Sequence, residues 1–279
     1  MEISGLPRPD RSYLVCATPR SGSTLLCKAL EATGLAGHPE EFFEAKRETG
    51  KPAHGSDYLW DAPGVDLQEL LGDDPEPPAP DYSSLAGVDD YREHLRRVLE
   101  WGTSDNGVFG AKIMWGHRAD FLPLARSLPE LHDLPERELL DALFPGLTYV
   151  WVRRGDTVRQ AVSLWKAIQT QSWRADQAAG RTREPVYHFE ALHHLRRMLE
   201  RNDTAWGRWF EERGLRPLEL SYERIASDPA TAVTTVLRLL GVDHDPPAGG
   251  DPEAPMKRQS DALSDDWVAR YFRDRREPD

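Results

Sequence analysis

Short apolar runs alternate along this chain with longer stretches in which apolar residues return every three or four positions. The short runs lie at Tyr13–Ala17, Val108–Met114, Leu147–Val152 and Pro217–Leu220 and have the length of buried strands. The helical period predicts helices at Ser23–Thr33, Tyr91–Trp101, Asp156–Trp173, Phe189–Arg213 and Ala226–Leu240, with a shorter one at Asp265–Arg275. In the longest, Leu192, Leu195, Leu199, Trp206, Trp209 and Phe210 share one side, the mark of a core-facing helix. Strands separated by helices must be joined by crossovers. The pattern therefore predicts an α/β fold with a central, mostly parallel sheet flanked by helices.

The periodicity breaks between Ala45 and Ser84, where proline, glycine and acidic residues dominate; a stretch this long predicts a lid, a substrate loop or disorder. A second such stretch, Asp243–Pro255, leads to Lys257, Arg258 and Gln259. With no internal repeat, the 279 residues read as a single domain over 1–279. A formal net charge of −12 excludes the broad basic field that nucleic acid or an anionic membrane requires, so any anion must be held by local arginines. Cys16 and Cys27 provide neither a disulfide framework nor zinc-ligand spacing and read as small buried side chains in a reducing compartment. No run of about 18 apolar residues and no apolar leader occurs. The expectation is a soluble, cytoplasmic protein.

Chemistry enters at Ala17–Leu26, A-T-P-R-S-G-S-T-L-L, where the first strand meets the first helix. Such a turn aims unpaired backbone N–H groups and the positive end of the helix dipole at one point, forming an anion cradle. Thr18, Arg20, Ser21, Gly22, Ser23 and Thr24 are its candidate contacts, with Arg20 adding a fixed charge. The Gly-Lys-Ser/Thr ending of a Walker A loop is missing, which points to an anion handled without a metal.

A second anchor lies in Y-V-W-V-R-R-G-D-T-V-R-Q-A-V-S-L-W, where a strand delivers Arg153 and Arg154 to the edge at which open α/β sheets bind ligands. Adjacent residues leave a strand on opposite sides, so one arginine faces the crevice and the other does not. Ser163, in the following helix, is a further phosphate donor. Lys112 sits in a run that otherwise reads as buried, an expensive place for a charge unless it meets an anion, and is assigned to an anionic ligand. For a general base the candidates are Glu40, Glu41 and His38; the adjacent glutamates are not distinguished by their pattern, and a histidine beside proline also reads as a loop residue. His193 and His194 lack metal-ligand spacing and read as surface or capping residues. Of the nine tryptophans, Trp60, Trp115, Trp165 and Trp173 fall near the crevice, where aromatic faces stack on sugars or simply pack.

Five segments in order, A-T-P-R-S-G-S-T-L-L, H-P-E-E-F-F at His38–Phe43, G-A-K-I-M-W at Gly110–Trp115, the R-R-G-D run, and R-Q-S-D-A-L-S-D-D-W at Arg258–Trp267, resemble the trehalose 2-sulfotransferase-like family across nearly the whole chain. The resemblance implies a P-loop NTPase-like three-layer fold and a sulfotransferase using 3′-phosphoadenosine-5′-phosphosulfate, with a small hydroxylated, sugar-containing acceptor, trehalose among the candidates, and a homodimer. It places the 5′-phosphosulfate on Arg20–Thr24 and the 3′-phosphate on Arg154 and Ser163, with Arg153 as the alternative. Glu41 would be the catalytic base, Arg20 and Lys112 its catalytic partners, and Arg258 and Gln259 would close over the cofactor. Pro19, His38, Glu40, Phe42, Phe43 and Trp115 are the implied acceptor contacts. Pro19 and His38 depart from the family pattern, which has glutamine and glutamate there, so acceptor choice is the property most open to change.

Two other classes remain at this stage. A metal-dependent nucleotide kinase or hydrolase would share the sheet, and the absent Gly-Lys-Ser/Thr speaks against it. A non-catalytic module binding adenosine 3′,5′-bisphosphate would leave Glu41 without a role.

Overall fold

Four parallel strands, β1 (Arg11–Ala17), β2 (Val108–Met114), β3 (Thr148–Arg153) and β4 (Leu218–Ser221), form one sheet in the order β2-β1-β3-β4. The computed structural model describes residues 3–46, 55–71, 91–173, 184–243 and 262–275. Ala17 lies opposite Met114 on one side and Val152 on the other, and Arg153 opposite Ser221. The carboxyl ends of all four strands thus share one edge.

Side chains alternate across each strand and split the core in two. Tyr13, Val15 and Ala17 pack with Leu26 and Leu30 of α1 (Ser23–Glu31) and Val233, Val236 and Leu237 of α9 (Pro229–Leu239). On the other face, Leu14 and Cys16 meet α3 (Tyr91–Gly102), α4 (Arg118–Ala125), α5 (Glu136–Leu143) and α7 (Phe189–Glu212) through Leu95, Phe121, Leu140, Trp206 and Phe210. The result is the predicted three-layer, P-loop-like α/β architecture. A third cluster, with Trp165, Leu192, Trp267 and Tyr271, binds α6 (Thr157–Thr170) and α7 to α10 (Ala262–Asp274). Leu59, from a 3₁₀ turn at Gly55–Leu59, and Leu71 of α2 (Leu67–Leu71) join it.

The helix expected at Ala226–Leu240 is two helices, α8 (Tyr222–Ser227) and α9. Asp228 breaks the run by accepting from the Thr231 amide, and Pro229 starts the next helix. α6 stops at Thr170, short of Trp173, because Gln171 adopts a left-handed conformation with φ 53°. Helices α4 and α5 escape the sequence pattern: α4 carries an internal Pro123, and α5 spans two turns. Both cysteines are buried free thiols, and burial pushes the Cys27 thiol up to about 12. Among the described residues, no helix is long and apolar enough to cross a membrane.

Candidate active site

The turn after β1 is held in a conformation few residues adopt. Arg20 has φ 62° and Gly22 φ 89°, both left-handed. At Arg20, a non-glycine residue, this stores strain of the kind found at functional sites. At Gly22 only glycine fits, because a Cβ there would lie 2.6 Å from the Tyr222 ring. Gln160 of α6 pins the preceding residues, its Nε2 donating to Thr18 Oγ1 (2.9 Å) and the Pro19 carbonyl (2.7 Å). The N-terminus of α1, at Ser23 and Thr24, has no side-chain cap among the described residues, which leaves its first-turn N–H groups for a ligand.

Two guanidinium groups converge on this turn. Arg20 Nε donates to Ser163 Oγ (3.0 Å) and Nη1 to the Trp173 carbonyl, while Arg154 Nη1 donates to the Arg20 carbonyl (3.1 Å) and stacks 4.3 Å over the Tyr222 ring. Burial, and then the charge of Arg154, lower the Arg20 pKa to about 10. Burial also lowers that of Arg154. Ser21 Oγ and Arg154 Nε are buried with no hydrogen-bond partner among the described residues. Crowded cations and unsatisfied donors are the surroundings an anion would relieve, so these residues fit phosphate groups.

Arg153 corrects one expectation. Its Nε and Nη2 donate to Asp203 Oδ2 (3.0 and 2.8 Å), and its guanidinium lies 4.4 Å over Trp151. The strand sends it to the face opposite Arg154, away from the cradle.

Across the edge, residues 36–46 run beside β2. Tyr13 Oη donates to the Ala36 carbonyl (2.8 Å), and the ring has room because residue 110 is glycine, where a Cβ would sit 2.7 Å from it. Gly37, at φ 66°, approaches backbone so closely that a Cβ would lie 2.3 Å from the Gly102 carbonyl. The Lys112 amide then donates to the Glu40 carbonyl (2.9 Å), fixing the register. Neighbouring glutamates consequently diverge: Glu40 meets Lys28 Nζ at 2.7 Å, and Glu41 meets Lys112 Nζ at 2.6 Å. The same ammonium donates to Thr24 Oγ1 (3.0 Å) in the cradle turn. Lys112 is 2% exposed. Burial alone would lower its pKa, but neighbouring anionic groups, Glu41 foremost, raise it above the usual lysine value.

Other expectations are revised by packing. Phe42 and Phe43, implied as acceptor contacts, are buried, with Phe42 stacked on Phe109 and Phe43 packed on Phe121 and Phe144, so their rings are core. Trp115 packs edge-on against Trp206 with the Arg118 guanidinium 4.7 Å over its face. Pro19 is buried, and exposed His38 lies 3.4 Å from Glu31. Trp165 is core, its Nε1 donating to the Val186 carbonyl, and Trp60 is exposed. His193 and His194, expected as surface or capping residues, are partly buried and each meets a partner. His193 Nδ1 meets Tyr271 Oη at 3.0 Å, and His194 Nε2 lies 3.4 Å from Asp61. Arg258 and Gln259 lie outside the described residues. Sequence reasoning missed Gln160 and Tyr222. Gln160 is a polar residue on a buried helix face, which demands partners, and Tyr222 directly follows the fourth strand at the ligand-binding edge.

The edge of this parallel sheet, which gathers an uncapped helix N-terminus, buried arginines and a lysine-held carboxylate, is suited to binding an anion. Residues 12–274 match the model of the Stf0 sulphotransferase family, and the chain belongs to that family and is a sulfotransferase. It is 36% identical over 267 residues to a trehalose 2-sulfotransferase of Mycobacterium tuberculosis, covering 95% of this chain and 96% of the relative. It is 34% identical to the trehalose 2-sulfotransferase of Mycolicibacterium smegmatis, covering 94% and 95%. Solved structures include the sulfotransferase domain of the Synechococcus PCC 7002 olefin synthase (16% identity, TM-score 0.37, 98% of each chain). Another is sulfotransferase STF9 from Mycobacterium avium (13% identity, TM-score 0.45, 98% of this chain and 70% of that one).

Proposed function

We propose that this sulfotransferase moves a sulfuryl group from 3′-phosphoadenosine-5′-phosphosulfate to a hydroxyl of a small sugar-containing acceptor, with Glu41 as general base. The observation that carries the reading is Lys112, whose ammonium touches the cradle turn at Thr24 and the carboxylate of Glu41 at once. Transfer to a hydroxyl needs charge neutralised on the leaving oxygen and a proton removed from the acceptor, and the two needs meet at this one cation.

In this reading the cofactor, when bound, supplies the sulfuryl group and a phosphate leaving group. Ser21, Gly22, Ser23, Thr24 and Arg20 hold the 5′ side through backbone and side-chain donors. Arg154 and Ser163 hold the 3′-phosphate. Lys112 keeps Glu41 ionised and directed at the acceptor hydroxyl, whose proton Glu41 takes. Trehalose, named for both curated relatives, is the first acceptor to try; a panel of other glycosides and a glycolipid follows.

The test is calorimetric titration with adenosine 3′,5′-bisphosphate and, separately, ATP with magnesium, followed by transfer of labelled sulfate to the acceptor panel. Bisphosphate binding weakened by Arg20→Ala and Arg154→Ala, with turnover lost in Glu41→Gln, supports the reading. ATP binding without bisphosphate binding overturns it. Sedimentation of the same sample tests the homodimer.

A further inference from the structure

One buried titratable group beside this machinery has no role in it. His117 follows β2 by three residues, immediately before α4, and is 8% exposed. Its Nδ1 is buried without a hydrogen-bond partner among the described residues. One ring nitrogen of His117 and one carboxylate oxygen each of Glu41 and Glu44 all lie within 4.8 Å of one another. Glu44 is half-buried, and its amide donates to the Glu41 carbonyl (3.3 Å), so a tight turn sets the two carboxylates on one site.

We propose that His117 and Glu44 form the route by which the acceptor's proton leaves Glu41, a positioning and relay role that rests on Glu41 being the base. The acceptor O–H bond would break as its oxygen bonds sulfur, and the sulfur's bond to the donor's bridging phosphate oxygen would break with the bisphosphate keeping that electron pair. The proton would pass to the Glu41 carboxylate. Glu41 gives it to the unprotonated nitrogen of neutral His117. The imidazolium passes a proton to Glu44, which releases it to water, and Glu41 is again a carboxylate. No oxidant or further reactant is needed.

Position and charge suit His117 to this task. The groups facing it are Glu41 and Glu44 on the loop, Lys112 on β2 and Asp120 on α4. Burial, then Lys112, hold its pKa below the usual histidine value against the pull of Glu41 and Asp120. The ring is therefore neutral and ready to accept near neutral pH. Once protonated it has the Glu44 carboxylate within reach as a second acceptor, while burial and Lys112 disfavour keeping the charge on the ring.

The experiment measures kcat, KM and bisphosphate affinity against pH for the wild-type protein and for Glu41→Gln, His117→Gln and Glu44→Gln. With the relay in place, His117→Gln loses roughly tenfold in kcat at unchanged bisphosphate affinity, and free imidazole restores part of the loss. Its acid limb, set by the His117 ring, disappears, and Glu44→Gln loses about threefold. Wild-type kcat and an unshifted acid limb in His117→Gln overturn the relay. So does a kcat loss that imidazole leaves untouched. Should His117→Gln fail to bind bisphosphate, Glu44→Gln decides: wild-type kcat there overturns the proposal. Activity abolished by EDTA and restored by zinc also overturns it, in favour of a cation on the same three ligands. Full turnover in Glu41→Gln would instead remove the base reading itself, a result distinct from all of these.

Discussion

The cradle and the acceptor-side segment are built by different means, although Lys112 joins them. The cradle hangs between regular elements: β1 enters it, α1 leaves it, and α6 pins it through Gln160 and Ser163. The acceptor side, residues 36–46, contains no helix and is fastened at separate points by Tyr13, the Lys112 amide and His94, whose Nε2 lies 3.1 Å from the Phe42 carbonyl. Strain and convergent charge are concentrated where donor phosphates would sit. Glu41, the proposed base, instead rides on a loop tied to the scaffold. Donor and acceptor functions should therefore fail separately.

The largest expected separation is chemical. Glu41→Gln keeps the shape of the site and should lower kcat by about 10²- to 10⁴-fold while leaving bisphosphate affinity as it was. Labelled-sulfate transfer paired with calorimetry checks this, and a matching loss of affinity would break the comparison.

Acid should make the same division. His94 is 1% exposed, and burial lowers its pKa from 6.5 to about 4. The unfolded chain binds the proton more readily, so the stabilising contribution is fully present above pH 6.5 and is lost as pH falls toward 4. The full effect is on the order of 3 kcal/mol. Because His94 holds Phe42, amide exchange should rise first in residues 38–44 as pH drops, with Thr18–Thr24 protected for longer. Simultaneous loss of protection in both would show one cooperative unit.

A smaller effect distinguishes the two arginines. Arg154→Ala removes charge-assisted contacts worth about 1.5–3 kcal/mol and should weaken bisphosphate binding about 10- to 100-fold. Arg153→Ala disrupts a pair that leaves Arg153 46% exposed, so stability should change by less than about 1 kcal/mol and affinity not at all. Calorimetry and thermal unfolding of both variants test the assignment, and equal binding losses would sink it.

The cradle was legible because its signals are local: a strand, a turn rich in hydroxyls and glycine, and a helix, all within Ser12–Leu26. The same is true of the four strands and the long helices, whose apolar periods announce them. What the sequence could not settle depends on three-dimensional direction. Whether Arg153 or Arg154 turns inward, and which glutamate meets Lys112, depend on the pleat of β3 and on a hydrogen bond to β2 from a distant segment. Phe42 and Phe43 misled for the opposite reason. Their place beside Glu41 suggests the acceptor, but large apolar rings have a core to fill, and Phe109, Phe121 and Phe144 supply it. His117 carried no pattern at all, since only folding brings it to Glu41.

The main-chain tether at Gly37 and Glu40 bears on how such enzymes diversify. Contacts made by backbone atoms survive almost any exchange of side chains, so the segment can change its chemical vocabulary while Glu41 stays in place. A library that randomises the positions around Glu41 but retains Gly37 and Gly110 should yield many folded catalysts with new acceptor preferences. One that varies those two glycines should yield few.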